Sequence, residues 1–360
     1  MLFEDKIVAF SESDFVNFQL FIRNHFHPSY ILSDKTFFDW QYKNGLGRNK
    51  YSILLLKDQN QIYGCIGLIP KKYKILDQTV KTNEYINLFV DPKLRSLGLG
   101  TVLVKKAMAQ GTAVNVGYSA ETSSLYKKLG NWRDLGGLNR YLVVLDEKKL
   151  DHFLSNQTFK IRNKRNYLSH ETNPKNNLDF KYIKSFDRNF DDLWLKVSSR
   201  YPIAAQRDSL YLNWRYSEHP SFAYSILQVS RGKNLLGFLI YRFETVDDFK
   251  IARIVDFVSF SEVELDLFAK FIIDAKHGGA CVADFVFFGD FYHTSLEKAG
   301  FFKEEPVQFP LRFNPVSYSK KSIGLMVFSG DEKINPEEFY KVDNWYITRG
   351  DSDQDRPNPR

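Results

Sequence analysis

Cysteine is scarce in this chain, with two in 360 residues. Cys65 and Cys281 lie far apart, each within an apolar run, which excludes a disulfide framework or a thiolate metal site and points to buried thiols in a reducing compartment. Long apolar runs are missing too: nothing approaches the ~18 to 20 unbroken apolar residues that span a bilayer. The N-terminus, MLFEDKIVAF, mixes acids with apolar residues and lacks the basic-then-apolar order of a signal peptide, so the expected location is the cytoplasm, with no membrane span. Concentrated charge is absent as well. The formal net charge is +7, yet the basic clusters are small, Lys71-Lys72-Tyr73-Lys74 and KIRNKRN from Lys160. A nucleic-acid binder gathers such charge on one face or element; this dispersed surplus fits a solvated surface or attraction for a small anionic substrate. His25 and His27 form an H-x-H pair, but no third residue at ligand spacing completes a metal site. His27-Pro28 reads instead as a turn or as part of an acceptor pocket.

What is present is core material and repetition. The chain is 43% hydrophobic, with 32 Phe and 20 Tyr, so aromatic packing dominates and the length favours two domains. The segment FFDWQYKNGLGRNKYSILLLKDQNQIYGCIGLI has a counterpart in YLNWRYSEHPSFAYSILQVSRGKNLLGFLIYR. Trp40 and Tyr42 match Trp214 and Tyr216; after a single-residue deletion, the YSIL from Tyr51 matches the YSIL from Tyr224, and Gly64 matches Gly237. LYKKLGNW further on aligns with SLEKAGFF. Each copy reads as a helical N-terminal region, W-x-Y, two strands joined by a polar turn, a further strand, a helix, a strand, a short helix and a last strand. That pattern predicts an α/β fold in two tandem copies, each a mixed twisted sheet flanked by helices. The copies are expected at residues 1–145 and 180–325, joined by a polar linker at 146–179. The extension 326–360 ends in TRGDSDQDRPNPR, an exposed tail or a loop tied down by its carboxylates.

The chemistry-bearing stretch is INLFVDPKLRSLGLGTVLVKKAM: a strand, a glycine turn and a helix start. Helix-start amides have no intrahelical partner and carry the positive end of the dipole, glycines let backbone approach a ligand, and Arg95 adds a charged fork, so the turn suits a phosphate. This stretch resembles the acyl-coenzyme A site of the GCN5-related N-acetyltransferase (GNAT) superfamily, a strand followed by [RQ]-x-x-G-x-[GA] and a helix. The family's second signature, L-Y-x-K-x-G, is matched by VNVGYSAETSSLYKKLGNW downstream. The resemblance covers roughly residues 5 to 145, and 180 to 310 as a faded duplicate. It implies that Leu88, Phe89 and Val90 form the strand that pairs with the pantetheine arm of acetyl-coenzyme A. Amides from Ser96, Leu97, Gly98, Leu99, Gly100 and Thr101 would cradle the pyrophosphate beside Arg95. Tyr126 falls where the family has the tyrosine that protonates the departing thiolate.

The general base is less defined. Asn87 stands near the place where many members carry a glutamate and cannot serve as a base, which leaves Glu84, at the entrance of the strand, and Glu121 as candidates. Ser119 replaces the family's asparagine before the L-Y helix. In the second copy DPKLRSLGLG is replaced by SFSEVELDLF and Tyr126 by Leu296, so that copy is expected to have lost the coenzyme site. Glu262, Glu264 and Asp266 there would repel a pyrophosphate. Asp256, on the strand matching that of Asn87, is expected to face the cleft between copies and, with His27 and Asn87, to contact the acceptor. Trp40 and Tyr42, kept in both copies, read first as structural. The tandem layout with its WYITRGDSDQDRP ending is similar to acetyltransferases of bacterial surface-polysaccharide pathways. That similarity implies a nucleotide-linked amino sugar as acceptor. The alternatives are a peptidoglycan-type aminoacyltransferase using aminoacyl-tRNA, and a non-catalytic coenzyme A-binding scaffold.

Overall fold

The computed structural model of the chain describes residues 4–26, 29–43, 50–155, 173–175, 177–246, 249–304 and 323–357. In the first half β1 (Ile7–Ala9), α1 (Phe15–His25) and α2 (Lys35–Tyr42) precede the meander β2 (Ile53–Asp58), β3 (Gln61–Ile75) and β4 (Gln78–Val90). There follow α3 (Leu99–Met108), β5 (Ala113–Val116), α4 (Ala120–Lys128), β6 (Trp132–Gly137), β7 (Asn139–Val144) and α5 (Glu147–Ser155). The second half begins with β8 (Asp179–Ile183), α6 (Arg188–Val197), β9 (Ile203–Ala205) and α7 (Ser209–Leu212). Its meander is β10 (Ser225–Arg231), β11 (Asn234–Val246) and β12 (Phe249–Ser259), followed by α8 (Glu264–His277), β13 (Val282–Phe288), α9 (His293–Lys298) and β14 (Phe302–Lys303). β15 (Gly324–Phe328), α10 (Pro336–Phe339) and β16 (Trp345–Thr348) complete the chain.

The two halves share one strand order, with an exchange. The first sheet runs β1-β2-β3-β4-β5-β15-β6 and the second β8-β10-β11-β12-β13-β7-β14. β15 lies between β5 and β6, with Met326 opposite both Asn115 and Asp134; β7 lies between β13 and β14, with Leu142 opposite both Asp284 and Phe302. Each half therefore closes the other's sheet. β9 and β16 join the two sheets through β3 and β13.

The repeated tryptophans sit where the halves meet. α2 starts at Asp34, whose side chain caps the Phe37 amide at 2.9 Å, and its register turns Trp40 inward. Trp40 Nε1 donates to the Trp214 carbonyl at 2.8 Å, Trp214 Nε1 donates to the Trp40 carbonyl at 2.9 Å, and the rings stack 5.3 Å apart. A hydrophobic cluster running through both halves surrounds them, from Phe38 and Tyr42 to Phe257 and Phe285.

The C-terminal segment is tied down by its carboxylates and buried. Asp351 pairs with Arg207 at 2.6 Å, and Asp355 with Arg242 at 2.8 Å. Burial opposes ionisation of Asp355, but the guanidinium groups of Arg242 and Arg215 outweigh it and hold its carboxyl well below the usual range. Gly350 is required here, because any Cβ would meet the Tyr216 hydroxyl and the Val255 carbonyl.

Candidate active site

β4 and β5 pair in parallel only at Asn83–Ala113 and Glu84–Val114. Beyond Glu84 they part, and Asn115 Nδ2 reaches across to the Tyr85 carbonyl at the vertex. The ladder between β3 and β4 shifts register around Asn87, which adopts φ +52°. This bulge re-aims the last residues of β4, as bulges beside sites do. The turn Pro92–Leu97 then ends at Gly98, whose φ of +71° favours glycine, and α3 starts. Arg95 folds back: its Nε donates to the Val90 carbonyl at 3.2 Å and its guanidinium lies 5.5 Å from the Phe89 ring centroid.

These pieces line an open pocket of about 340 Å³, bounded by Leu88, Phe89, Val90, Arg95, Gly98, Gly100 and Thr101, with Glu121 and Leu125 from α4. A Cβ on Gly100 would make only ordinary contacts, 3.5 Å from Leu125 and 3.8 Å from Val90, so packing does not demand glycine there; the open space in front of it does. The start of α3 supplies the electropositive cradle. Ser96 and Leu97 stand exposed on the turn outside this lining, and the Leu99 side chain is core, so these three offer at most backbone.

Tyr126 does not line the pocket. Its ring is buried, stacked on Trp132 at 4.3 Å, and burial pushes its phenol above the ordinary range. The aromatic residue expected to reach a ligand sulfur thus packs in the core behind Leu125. Its hydroxyl, like that of Tyr85, has no hydrogen-bond partner among the described residues. Ser119 caps α4, accepting from the Thr122 amide at 3.2 Å.

On the other side of β4 the C-terminal segment completes the site. Asn87 Nδ2 donates to the Tyr42 hydroxyl at 2.8 Å, and Asn87 Oδ1 accepts from Arg356 Nη1 at 2.8 Å. Arg356 also donates to Asp353 at 2.6 Å and to the Tyr30 hydroxyl at 2.5 Å. Glu84, expected at a strand entrance, is instead fully buried. It binds Lys71 Nζ at 2.7 Å and accepts from the Asp353 amide at 3.2 Å. Burial pushes its carboxyl up, Lys71 opposes this and Asp353 adds to it, leaving the group at about 7. A cavity with about 20 Å³ for water lies among Glu84, Lys71, Gln41, Asp353 and Arg356; the buried Gln41 Nε2 has no protein partner among the described residues. That space suits about one water molecule.

Asp256 is buried in the corresponding place of the second half, bound by Arg207 at 3.0 Å and by the Tyr216 hydroxyl at 2.9 Å. Expected to meet the acceptor, it is instead consumed by structure: the two W-x-Y tyrosines each hold the matching strand, Tyr42 at Asn87 and Tyr216 at Asp256. His27 lies outside the described residues. His25 stacks against Phe21 and Phe89. Lys71, Gln41, Asp353 and Arg356 were not singled out by sequence reasoning. The alternation in KKYK, with Lys71 and Tyr73 buried and Lys72 exposed, was the available signal for Lys71.

Among the described residues, the place matching the β4–β5 cleft is filled in the second half. β12 and β13 part after Ile254–Phe285, and Tyr346 from β16 fills the gap, its hydroxyl donating to the Phe257 carbonyl at 2.7 Å. Glu264 pairs with Arg200 at 2.5 Å, and Leu296 is core. Among the described residues no group of three His, Cys, Asp or Glu side chains is placed to hold a metal ion, and no helix is long and apolar enough to cross a membrane.

A diverging β4–β5 pair followed by a glycine turn at a helix start is the arrangement of the GNAT fold. Residues 17–130 match the model of the Acetyltransferase (GNAT) family. Solved structures with the same fold include a GCN5-related N-acetyltransferase from Anabaena variabilis ATCC 29413, at 13% identity and TM-score 0.61, covering 91% of this chain and 73% of that one. A probable N-acyltransferase from Enterococcus faecalis V583 matches at 11% identity and TM-score 0.60, covering 92% and 73%. The Saccharomyces cerevisiae N-myristoyltransferase bound to myristoyl-CoA matches at 13% identity and TM-score 0.54, covering 87% and 79%. No curated protein matches the chain by sequence.

Proposed function

We propose that the protein is an acetyl-coenzyme A-dependent N-acetyltransferase whose acceptor is the amine of a nucleotide-linked amino sugar destined for a surface polysaccharide. The observation that carries the reading is the pocket between β4 and the start of α3, with its electropositive turn and unpaired strand edge. The sequence similarity of the layout to polysaccharide-pathway acetyltransferases supports the acceptor class.

The coenzyme supplies a thioester as acyl donor. Amides at the start of α3, with Arg95, hold its pyrophosphate. The edge of β4 at Leu88, Phe89 and Val90 offers backbone groups to the pantetheine arm by strand addition, and an amide there stabilises the oxyanion that forms when the amine attacks. The acceptor arrives as an ammonium ion and must lose a proton. Glu84, held near neutrality, takes it through the water-sized cavity shared with Gln41 and Asp353, a task for which a base near the working pH is best matched. Glu121 lines the coenzyme pocket, across β4 from that cavity, and serves the coenzyme side. Tyr126, its hydroxyl unpartnered, is the proposed proton donor to the thiolate.

An aminoacyl-tRNA-dependent transferase needs no such phosphate turn. A coenzyme A-binding scaffold predicts binding without turnover. The test is release of free coenzyme A thiol from acetyl-coenzyme A on addition of UDP-linked amino sugars. Sugar-dependent thiol release with a mass gain of one acetyl group on the sugar nitrogen is the expected result. Tight coenzyme binding with no release across the panel overturns the transferase reading in favour of the scaffold.

A further inference from the structure

Beyond the coenzyme pocket, a second groove of about 230 Å³ opens at the seam between the halves, lined by Lys71, Lys72, Lys81, Gln206, Leu210 and Tyr211. Lys72 and Lys81 are direct partners on the β3–β4 ladder. Residues so placed have Cβ atoms about 5 Å apart, and like charges there repel. Both are exposed, and neither has an ion-pair partner among the described residues. Gln206, whose amide donates to the Lys72 carbonyl at 2.8 Å, keeps its side-chain oxygen buried without a partner. The acid that also lines this arm, Asp208, is occupied in capping the Tyr211 amide at 2.8 Å. The groove continues past Gln206 and Leu210 into a second arm of about 300 Å³ floored by Trp194 and Leu195. Leu210 and Leu195 are 54% and 72% exposed there, apolar surface with nothing packed on it among the described residues. At the inner end, Lys71 is common to the groove and to the Glu84 cavity.

We infer that this groove is the acceptor site and that it binds a nucleoside diphosphate-linked amine, with the diphosphate on Lys72 and Lys81. The inference rests on the transferase reading above and adds where the acceptor lies and what recognises it. A diphosphate relieves the Lys72–Lys81 repulsion by bridging two ammonium groups that have no ion-pair partner among the described residues. The nucleoside covers Leu210 and Leu195. The sugar then projects inward, toward Lys71 and Glu84. Along β4, Lys81 precedes Glu84 by three residues, about 10 Å of strand, and the two side chains leave opposite faces, so the sugar reaches Glu84 by way of Lys71, which is common to the groove and the cavity. Coenzyme and acceptor thus approach from opposite ends of β4, which keeps two polyanions apart while their reactive ends meet at its centre.

The test is calorimetric titration of UDP-glucosamine into the full chain presaturated with coenzyme A, so that the coenzyme's phosphate cradle is already filled. The Lys72→Met/Lys81→Met variant is compared with the parent. Binding to the parent that weakens about tenfold per lysine removed, about a hundredfold in the double variant, and that falls with added salt, is the expected result. Coenzyme A affinity stays unchanged in both proteins. UDP-glucosamine affinity that is absent, or indifferent to the double substitution, overturns the groove assignment while leaving the transferase reading intact. Failure of the parent to bind coenzyme A refutes that reading itself.

Discussion

The exchanged strands make the two halves interdependent, and cutting between them has a calculable consequence. A chain ending at residue 155 lacks β15. In β15, Leu325, Met326 and Val327 are 0% exposed and Phe328 is 7% exposed. Burial of such a side chain contributes about 1.5–3 kcal/mol, so the four together supply about 6–12 kcal/mol, an upper bound because unfolded chains already bury some surface. The net stability of a domain is about 5–15 kcal/mol. Removing β15 also leaves β5 and β6 facing each other across an unfilled strand position. The isolated first half is therefore expected to lack cooperative unfolding by circular dichroism and to show collapsed amide dispersion by NMR. The second half, residues 173–360, loses β7 in the same way, with Leu142 and Val143 0% exposed in the intact chain. Co-expression of the two pieces is expected to return one stable complex that binds coenzyme A. A first half that melts cooperatively alone and binds the coenzyme with full affinity refutes the exchange.

Three further outcomes follow from individual side chains. Glu84→Gln is expected to lower kcat by about 10²- to 10⁴-fold and to abolish the rise in rate through pH about 7. Coenzyme affinity is unchanged, and a limb that persists in the variant removes Glu84 from the mechanism. Tyr126→Phe keeps the stack on Trp132, so its melting temperature stays near the parent value while single-turnover thiolate release slows; an unaltered rate assigns Tyr126 to packing alone. His219 is buried against Trp40, and burial with the nearby Arg215 lowers its imidazole from 6.5 to about 3. A depressed group gives its full contribution above the unfolded pKa and loses it as pH falls. Its share of stability is thus intact above pH 6.5 and declines toward pH 3, by about 1.4 kcal/mol per unit. His219→Asn is expected to flatten that decline in urea titrations; a slope equal to the parent's contradicts the assignment.

The parts legible in the sequence were those written locally. The strand, glycine turn and helix start at residues 86–108 are contiguous, and each carries its own conformational signal. The repeat was legible because the halves kept Trp40 and Trp214 for one reciprocal contact. Pairing between Val116 and Leu325, or between Val143 and Ala283, leaves no local trace: any apolar strand of the right length satisfies the pattern. Glu84 was taken for an entrance residue because its partners come from elsewhere, Lys71 across the ladder and Asp353 from the tail. Tyr126 stands at a motif position, but its burial against Trp132 was not legible, because it depends on the register of α4 over β6. The tail reads equally as exposed or as a loop tied down by its carboxylates, and only Arg207 and Arg242, distant in sequence, decide for the second.

The central claim is that the first half, and not the second, holds one acyl-coenzyme A. Isothermal titration of the full chain with acetyl-coenzyme A, beside Arg95→Ala and Gly98→Asp variants, tests it most directly. The account predicts one site per chain in the parent, weakened by Arg95→Ala and abolished by Gly98→Asp, where a carboxylate and a strained φ enter the phosphate turn. Two sites per chain, or a Gly98→Asp variant that binds as the parent does, contradicts it.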